Sequence, residues 1–228
     1  HLVGKALVQR RFDDAVHLLL SFTSEYDSKE NTKLRNMMED PHNYSEALKI
    51  IPHQMDLETT LLKEMLEHNE PTKALVRLPL SIRRLFVDAY QSYLFNLTVS
   101  RSYQYGEDLF FPKEGDVCYD VAAKLGKFEM DPQQKLAIPM VGYSYFKKTR
   151  FDYHISKILQ EEGVSPKDFY FKEMQEISSE GGFRASSIAC SNFSVDDDTV
   201  DFTLQRGAFA TIVMREILKP NSPLEAGF

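Results

Sequence analysis

The first 22 residues carry apolar side chains at helical spacing. Between Gly4 and Phe22 the apolar positions recur every three or four residues: Leu7, Val8, Phe12, Ala15, Val16, Leu19 and Leu20. This period is typical of an α-helix with one buried face, so the pattern predicts a single helix here. Two further helical stretches, 43–48 and 57–66, are separated by Pro52 and end before Pro71. The first 75 residues are therefore predicted to be mostly helical.

The longest helical pattern runs from Ser81 to about Tyr103, and Gly106 suits its C-terminal end. Two adjacent apolar rows, each at a spacing of four residues, predict a wide buried face on a central helix. The rows are Leu85, Ala89, Tyr93 and Leu97, and Phe86, Tyr90 and Leu94.

Residues 107–150 change to short β-type runs between Gly, Pro and Asp, which predict a small sheet from 108–111, 116–119 and 137–141. A short helix over 151–162, closed by Gly163, follows, and a turn or helix start comes at 165–169.

The last section predicts a strand pair followed by a helix. Residues 183–192 and 199–205 read as strands joined by an acidic turn at 196–198. Gly207 then breaks the second strand, and helical spacing continues from Phe209 to Pro220. The predicted class is α+β.

Composition limits the function classes. The chain has 228 residues with 43% hydrophobic side chains, and no apolar run approaches the roughly 18 residues of a membrane span. Its net charge of −7 argues against a surface that is basic throughout, so RNA binding would need local basic clusters. Three clusters stand out: Lys5 with Arg10 and Arg11, Arg77 with Arg83 and Arg84, and Lys147 with Lys148 and Arg150.

The residue types that usually build metal or nucleophile sites are not grouped. Cys118 and Cys190 lie far apart without a C-x-x-C pattern, which favours two reduced structural thiols. The six histidines form no H-E-x-x-H pattern, and no G-x-S-x-G or glycine-rich phosphate loop occurs. We expect no metal site.

Two segments combine polar and small residues in an unusual way. The first is Gln91-Ser92-Tyr93-Leu94-Phe95-Asn96, with Arg101 beyond it, on an otherwise apolar helix. The second is the run 206–216, where Gly207 and two alanines at a strand-to-helix junction permit close approach of a backbone or a ligand. Taken alone, the first segment favours a core helix with polar residues on its exposed side, and the second is equally explained by tight packing of a helix on a sheet.

Together these segments resemble the TruD family of tRNA pseudouridine synthases. The first resembles the Q-S-Y-L-F-N element, and 202–217 resembles the closing F-x-L-x-x-G-S-[FY]-A-T-x-V-x-R-E-L pattern, with Ala208 in place of serine and Ile217 in place of leucine. Residues 139–143, 161–164 and 182–184 are also similar to the archaeal and eukaryotic branch.

The resemblance implies part of a mixed-sheet pseudouridine-synthase catalytic domain with an inserted TRUD α/β domain. It assigns 1–24 and 183–219 to the catalytic domain, 25–75 to a helical insertion, 76–182 to the TRUD domain and 220–228 to a tail. It further implies a cytoplasmic, monomeric enzyme that isomerises a uridine of tRNA, expected at position 13, without a cofactor. The family's catalytic aspartate lies in a G-x-K-D motif that these residues lack. We therefore expect the nucleophile upstream of His1, and we expect the 228 residues alone to be inactive.

The resemblance also suggests which side chains would form a pocket wall or contact RNA. Lys167-Asp168 matches the aspartate motif only superficially and is not assigned that role. The candidates are Gln91, Arg184, Phe209, Thr211 and Arg215. Phosphate contacts would come from Lys147, Lys148 and Arg150 or from Arg83 and Arg84.

Two other interpretations remain open from the sequence. The segments 12–15 and 44–47 recur 32 residues apart, which invites a tetratricopeptide-like, protein-binding interpretation, although no third copy follows. The second interpretation is an RNA-binding fragment without catalytic activity.

Overall fold

A computed structural model describes residues 1–145, 149–223 and 225–227. The chain divides into two compact units. The first comprises 1–108 and 138–184, and the second comprises 109–137 and 185–228. These units follow contacts in space, and the assignment of residues to a catalytic domain and an inserted domain stays a prediction.

The first unit is mainly helical. Its core is formed by apolar side chains of several helices, among them Leu7, Leu20, Leu61, Leu75 and Tyr90. Helix α1 packs on both α2 and α7, and α5 packs on α4 and α6. The helices are α1 (Leu2–Val8), α2 (Phe12–Ser21), α3 (Lys29–Met37), α4 (Tyr44–Ile50), α5 (Asp56–His68), α6 (Pro71–Arg77), α7 (Leu80–Gln104) and α8 (Asp152–Glu162), with 3-10 turns at Pro41–Asn43, Pro166–Phe169 and Gln175–Ile177.

The single helix predicted over residues 4–22 is wrong, because the chain breaks between α1 and α2. Arg10 adopts a left-handed φ of 60°, which is uncommon for a residue with a side chain. Its guanidinium donates to the carbonyl oxygens of Leu7 and Val8 at the end of α1, and the Leu7 oxygen also accepts from the backbone N–H of Arg10. Apolar periodicity continues across this break, so the pattern could not reveal it.

Helix α7 has nearly the predicted bounds, but its buried face is rotated from the predicted one. Leu85, predicted to be buried, is 57% exposed, whereas Arg83 and Gln91 are 7% and 3% exposed. Buried polar groups are tolerated when they are hydrogen-bonded, as both of these are. Gly106 follows the helix with a φ of 80°, as its predicted terminating role requires.

The predicted small sheet exists, with four strands instead of three and with one of the predicted strands absent. Strand β1 (Val117–Tyr119) pairs antiparallel with β2 (Leu125–Lys127) and with β3 (Lys135–Met140). Cys118 faces Gly126 on one side and Leu136 on the other. The run 108–111, also predicted as a strand, forms none, and Phe110 and Phe111 are exposed.

The strand predicted over 183–192 is two strands. Strand β4 (Gly182–Ala185) neighbours β3, whereas β5 (Cys190–Asp196) pairs with β6 (Thr199–Leu204) in a separate hairpin. The predicted acidic turn is present, with Asp197 at a left-handed φ of 47°. Side chains of β6 alternate between exposed and half-buried.

Helix α9 (Ala210–Leu218) follows the hairpin in the second unit, as the spacing predicts. Cys118 and Cys190 are free thiols, the first buried and the second exposed. Helices together with antiparallel strands confirm the α+β class, and strands of this extent are not what a tetratricopeptide array predicts.

Candidate functional site

The Q-S-Y-L-F-N segment lies in the middle of α7, and its first residue holds two loops. The amide nitrogen of Gln91 donates to the carbonyl oxygen of Val141 at 2.6 Å, and its oxygen accepts from the hydroxyl of Ser179 at 2.9 Å. Because the Gln91 side chain is buried, it sets the position of both loops relative to α7. Its direct role here is therefore positioning.

The same two loops approach each other closely at a pair of glycines. Tyr143 donates its backbone N–H to the Ser179 carbonyl at 2.9 Å, and Gly142 lies against the backbone of residues 180–181. A Cβ atom on Gly142 would lie 2.1 Å from the Gly181 nitrogen. Gly181 has a φ of 86°, which a side chain would disfavour. The P-M-V-G-Y and G-G-F-R segments are thus fixed side by side.

Arg184 links β4 to the same helix. Its guanidinium lies 5.0 Å from the centre of the Phe95 ring and donates to the Ser92 hydroxyl at 3.3 Å. Phe95 is buried, while Arg184 is exposed. A cation held over an aromatic ring keeps its remaining donors available to an anion such as a phosphate. The structure therefore brings Gln91 and Arg184, both predicted from the sequence, to one helix.

Arg83 and Arg84 lie two turns earlier on α7, and both bind residue 176. The buried guanidinium of Arg83 donates to the Glu176 carboxylate and to the Leu78 carbonyl oxygen. Arg84, which is exposed, donates to the Glu176 carbonyl oxygen at 2.9 Å. The hydrogen bond from Arg83 holds the pKa of the Glu176 carboxyl below its ordinary value. Arg83 is thus engaged internally, and Arg84 retains an exposed charge.

We expect Glu176→Gln to lower stability by about 1–2 kcal/mol at pH 7, since it leaves a buried guanidinium without a counter-ion. The value is reduced because the Glu176 side chain is 40% exposed. A carboxyl whose pKa is lower in the folded state than in the unfolded state stabilises the fold at pH values above its unfolded pKa of about 4.3. This stabilisation is lost as the pH falls through the pKa of the folded state. The difference between variant and wild type should therefore shrink below about pH 4.

Thermal unfolding between pH 3 and pH 7 measures this effect. Glu46→Gln, at an exposed position on α4, is the matched control and should change little at any pH. If the loss of stability in Glu176→Gln stayed unchanged at pH 3, the loss would not be electrostatic in origin.

The third predicted phosphate-binding cluster is described only in part. Arg150 donates to the Glu107 carboxylate at 2.5 Å and to the Asp108 carbonyl oxygen at 2.7 Å, and it lies over the Phe151 ring. Lys147 and Lys148 lie outside the described residues.

The remaining predicted residues belong to the second unit, at the start of α9. Phe209 immediately precedes the helix and is 71% exposed, and Thr211 is exposed in its first turn. Arg215 is half-exposed and lies 3.6 Å from the Glu216 carboxylate. These three side chains are accessible, as residues that contact a substrate must be.

The carboxylate of Asp168, the superficial match to the aspartate motif, has a local structural role. It accepts from the backbone N–H and the hydroxyl of Ser165, closing a capping box on the following 3-10 turn. Among the described residues, no group of three or more His, Cys, Asp or Glu side chains could hold a metal ion. None of the described helices is long and apolar enough to cross a membrane.

Sequence reasoning missed Ser92, Phe95 and Ser179 as partners of the predicted residues. Ser92 and Phe95 stand inside the recognised element, but nothing local indicates that they face β4. Ser179 lies 88 positions from Gln91 in an unremarkable polar stretch.

Comparison with known proteins identifies the family. The sequence profile of tRNA pseudouridine synthase D (TruD) matches residues 1–217. A relative from Pyrobaculum islandicum, named "Probable tRNA pseudouridine synthase D", is 31% identical over 100% of this chain and 55% of its own length. A relative of the same name from Methanopyrus kandleri is 33% identical over 96% of this chain and 53% of its own.

A solved structure supports the same assignment. A crystal structure from Methanosarcina mazei, described as tRNA pseudouridine synthase D (TruD), superposes with a TM-score of 0.86 at 26% identity, over 99% of this chain and 58% of that one. The chain thus spans about half the length of the relatives that it matches. The resemblance inferred from the two motifs is confirmed, and the chain belongs to the TruD family.

Proposed function

We propose that the protein to which these residues belong converts uridine to pseudouridine in tRNA, at position 13. The observation that carries the proposal is the family match, which spans both motifs and the loops that Gln91 holds together. The relatives carry the name of a tRNA pseudouridine synthase. We further propose that the enzyme is cytoplasmic and monomeric.

The reaction is an isomerisation, so its atoms balance without a co-reactant. The bond between the ribose and a uracil nitrogen breaks, the uracil turns, and a bond from the ribose to a uracil carbon forms. That carbon loses its proton, and the freed nitrogen takes up a proton. We assign the role of catalytic nucleophile in this reaction to an aspartate outside these residues, because the G-x-K-D motif does not occur among them. We propose that the enzyme needs no cofactor, which is consistent with this balance.

In this proposal the described residues bind and orient RNA. An enzyme that acts on a base must extrude it from the stack and hold it by stacking and polar contacts. Arg184, fixed over Phe95, and the exposed Arg84 would contact phosphates. Phe209, Thr211 and Arg215 would contribute accessible stacking and polar groups, and Gln91 would position the loops.

The test is pseudouridine formation in an unmodified tRNA transcript by the protein encoded by the natural reading frame. We expect conversion by that protein, no conversion after replacement of its G-x-K-D aspartate, and none by the 228 residues alone. Mass spectrometry with selective carbodiimide labelling reads the product and its position. The proposed function is wrong if the natural protein forms no pseudouridine. Robust conversion by the 228 residues would instead contradict an upstream nucleophile.

A further inference from the structure

Arg10 forms the junction between two clefts on the first unit. One, of about 480 Å³, is lined by Arg10, Tyr143, Lys167, Tyr170, Lys172 and Glu173. The other, of about 570 Å³, includes Lys5, Arg10 and Arg11. We call the first the basic-aromatic cleft. Its lining combines the loop after α1 with a segment some 160 positions later. No local sequence pattern could therefore predict this cleft.

The contacts of Arg10 connect the loop after α1 to residues 168–171 at one side of this cleft. Arg10 keeps a left-handed backbone, and its guanidinium donates to the carbonyl oxygens of Asp168 at 2.8 Å and Tyr170 at 2.6 Å. The same group lies 4.3 Å from the centre of the Phe171 ring, and Phe171 is fully buried. Sparsely populated backbone conformations persist only where the surroundings hold them, and they concentrate at functional sites.

The charges in the cleft are unbalanced toward the cationic side. Arg10 pairs with Glu173 at 3.4 Å, which neutralises the one carboxylate of the lining. Lys167 and Lys172 are exposed and form no ion pair among the described residues. Two unpaired lysines at one cleft, on a chain whose net charge is −7, mark a local attraction for anions.

Two exposed tyrosine rings complete the lining. Tyr143 and Tyr170 are 41% and 44% exposed, and their rings lie 5.7 Å apart, nearly perpendicular. Tyr143 follows Gly142 directly. The hydrogen bonds by which Gln91 holds the two loops therefore also position the Tyr143 side of the cleft. Aromatic rings beside unpaired cations are typical of surfaces that bind unpaired nucleotides by stacking and by phosphate contacts.

We propose that the basic-aromatic cleft is an RNA-binding surface, in which Lys167 and Lys172 contact phosphates and an unpaired base stacks on Tyr170 beside Tyr143. The choice of RNA as the partner rests on the proposed function, and the location rests on the cleft itself. Arg10 acts as a positioning residue, since its donors are engaged inside the protein.

The experiment uses the natural full-length protein and a fluorescent tRNA transcript, with binding measured by anisotropy at several salt concentrations. Lys167→Ala/Lys172→Ala should weaken binding about tenfold near 0.1 M salt. It should also reduce the slope of log affinity against log salt by about 1.4 to 1.8, for two lost phosphate contacts. Lys49→Ala/Lys63→Ala removes two exposed charges from α4 and α5 and serves as the matched control, with binding unchanged.

Stacking is tested separately from charge. Tyr170→Ala should weaken tRNA binding about fivefold or more with an unchanged salt slope, and Tyr170→Phe, which keeps the ring, should restore it. Binding of inorganic polyphosphate, which has no bases, should be unaffected by Tyr170→Ala. Thermal unfolding confirms that each variant is folded.

Opposite results would overturn the inference. Wild-type affinity and salt slope in Lys167→Ala/Lys172→Ala would exclude the phosphate contacts, and an equal loss of polyphosphate binding in Tyr170→Ala would exclude stacking. Failure of the proposed function is distinguishable: tRNA binding that depends on the cleft, without pseudouridine formation, would leave this inference standing. Pseudouridine formation with cleft-independent binding would reject the inference alone.

Discussion

Gly142→Ala is expected to destabilise the first unit by at least about 1–3 kcal/mol, the usual cost of forcing extra atoms into a packed region. The added Cβ would lie 2.1 Å from the Gly181 nitrogen and 2.3 Å from the Glu180 carbonyl carbon. Both are backbone atoms, so no side chain can rotate away. For a chain of this size, each kcal/mol lowers the unfolding midpoint by about 2–4 °C.

The same substitution should impair function beyond its effect on stability. Gly142 stands between Val141, which Gln91 binds, and Tyr143, which lines the basic-aromatic cleft. Relief of the clash must separate the two loops, so tRNA binding by the full-length protein should weaken even well below the unfolding temperature.

Gly126→Ala is the matched control. A Cβ on Gly126 meets nothing within 4 Å, and its φ is not in the left-handed region. Differential scanning fluorimetry of the two variants against wild type compares them directly. Equal midpoints for Gly142→Ala and Gly126→Ala would contradict the close approach of the two loops.

Features set by neighbouring residues were predictable from the sequence. The ends of α7 and α9 follow from Pro79, Gly106 and Gly207, whose backbone preferences act locally. The family could also be inferred, because the two motifs are continuous segments. In each case the signal and the structure share one stretch of chain.

Features set by distant partners were not predictable. The break between α1 and α2 is held by Arg10, which binds carbonyl oxygens 158 and 160 positions away. The division of 183–192 into β4 and β5 depends on which strand each half neighbours, whereas both halves carry similar side chains. Periodicity records burial and contains no information about partners.

In the candidate site, too, membership of a motif was predictable from the sequence, whereas contacts with distant residues were not. Sequence reasoning selected Gln91 and Arg184 as members of recognised motifs, and the structure places Gln91 on α7 and Arg184 on β4, in contact with α7. It did not show that Gln91 is buried and Arg184 exposed, which separates a positioning role from a contacting one. Arg83 differs from Arg84 in the same way, although the two are adjacent in sequence.

Gln91→Leu is expected to cost about 2–4 kcal/mol of stability, because one buried and one half-buried partner lose their hydrogen bonds at once. Leucine fills a similar volume but leaves the Val141 carbonyl oxygen and the Ser179 hydroxyl without Gln91, and each unsatisfied group costs about 1–3 kcal/mol. Asn96→Leu, at an exposed position of the same helix, is the control and should change stability by less than about 0.5 kcal/mol.

Urea denaturation of both variants measures the difference, and amide hydrogen exchange locates it. If Gln91 holds the two loops, protection should fall selectively at Tyr143, whose N–H binds the Ser179 carbonyl oxygen, while amides in α5 keep their protection. A loss of stability spread evenly over the first unit would instead mean that Gln91 contributes only packing to the core. Since Tyr143 also lines the basic-aromatic cleft, selective loosening should weaken tRNA binding by the full-length protein, which connects a buried hydrogen bond on α7 to an exposed surface.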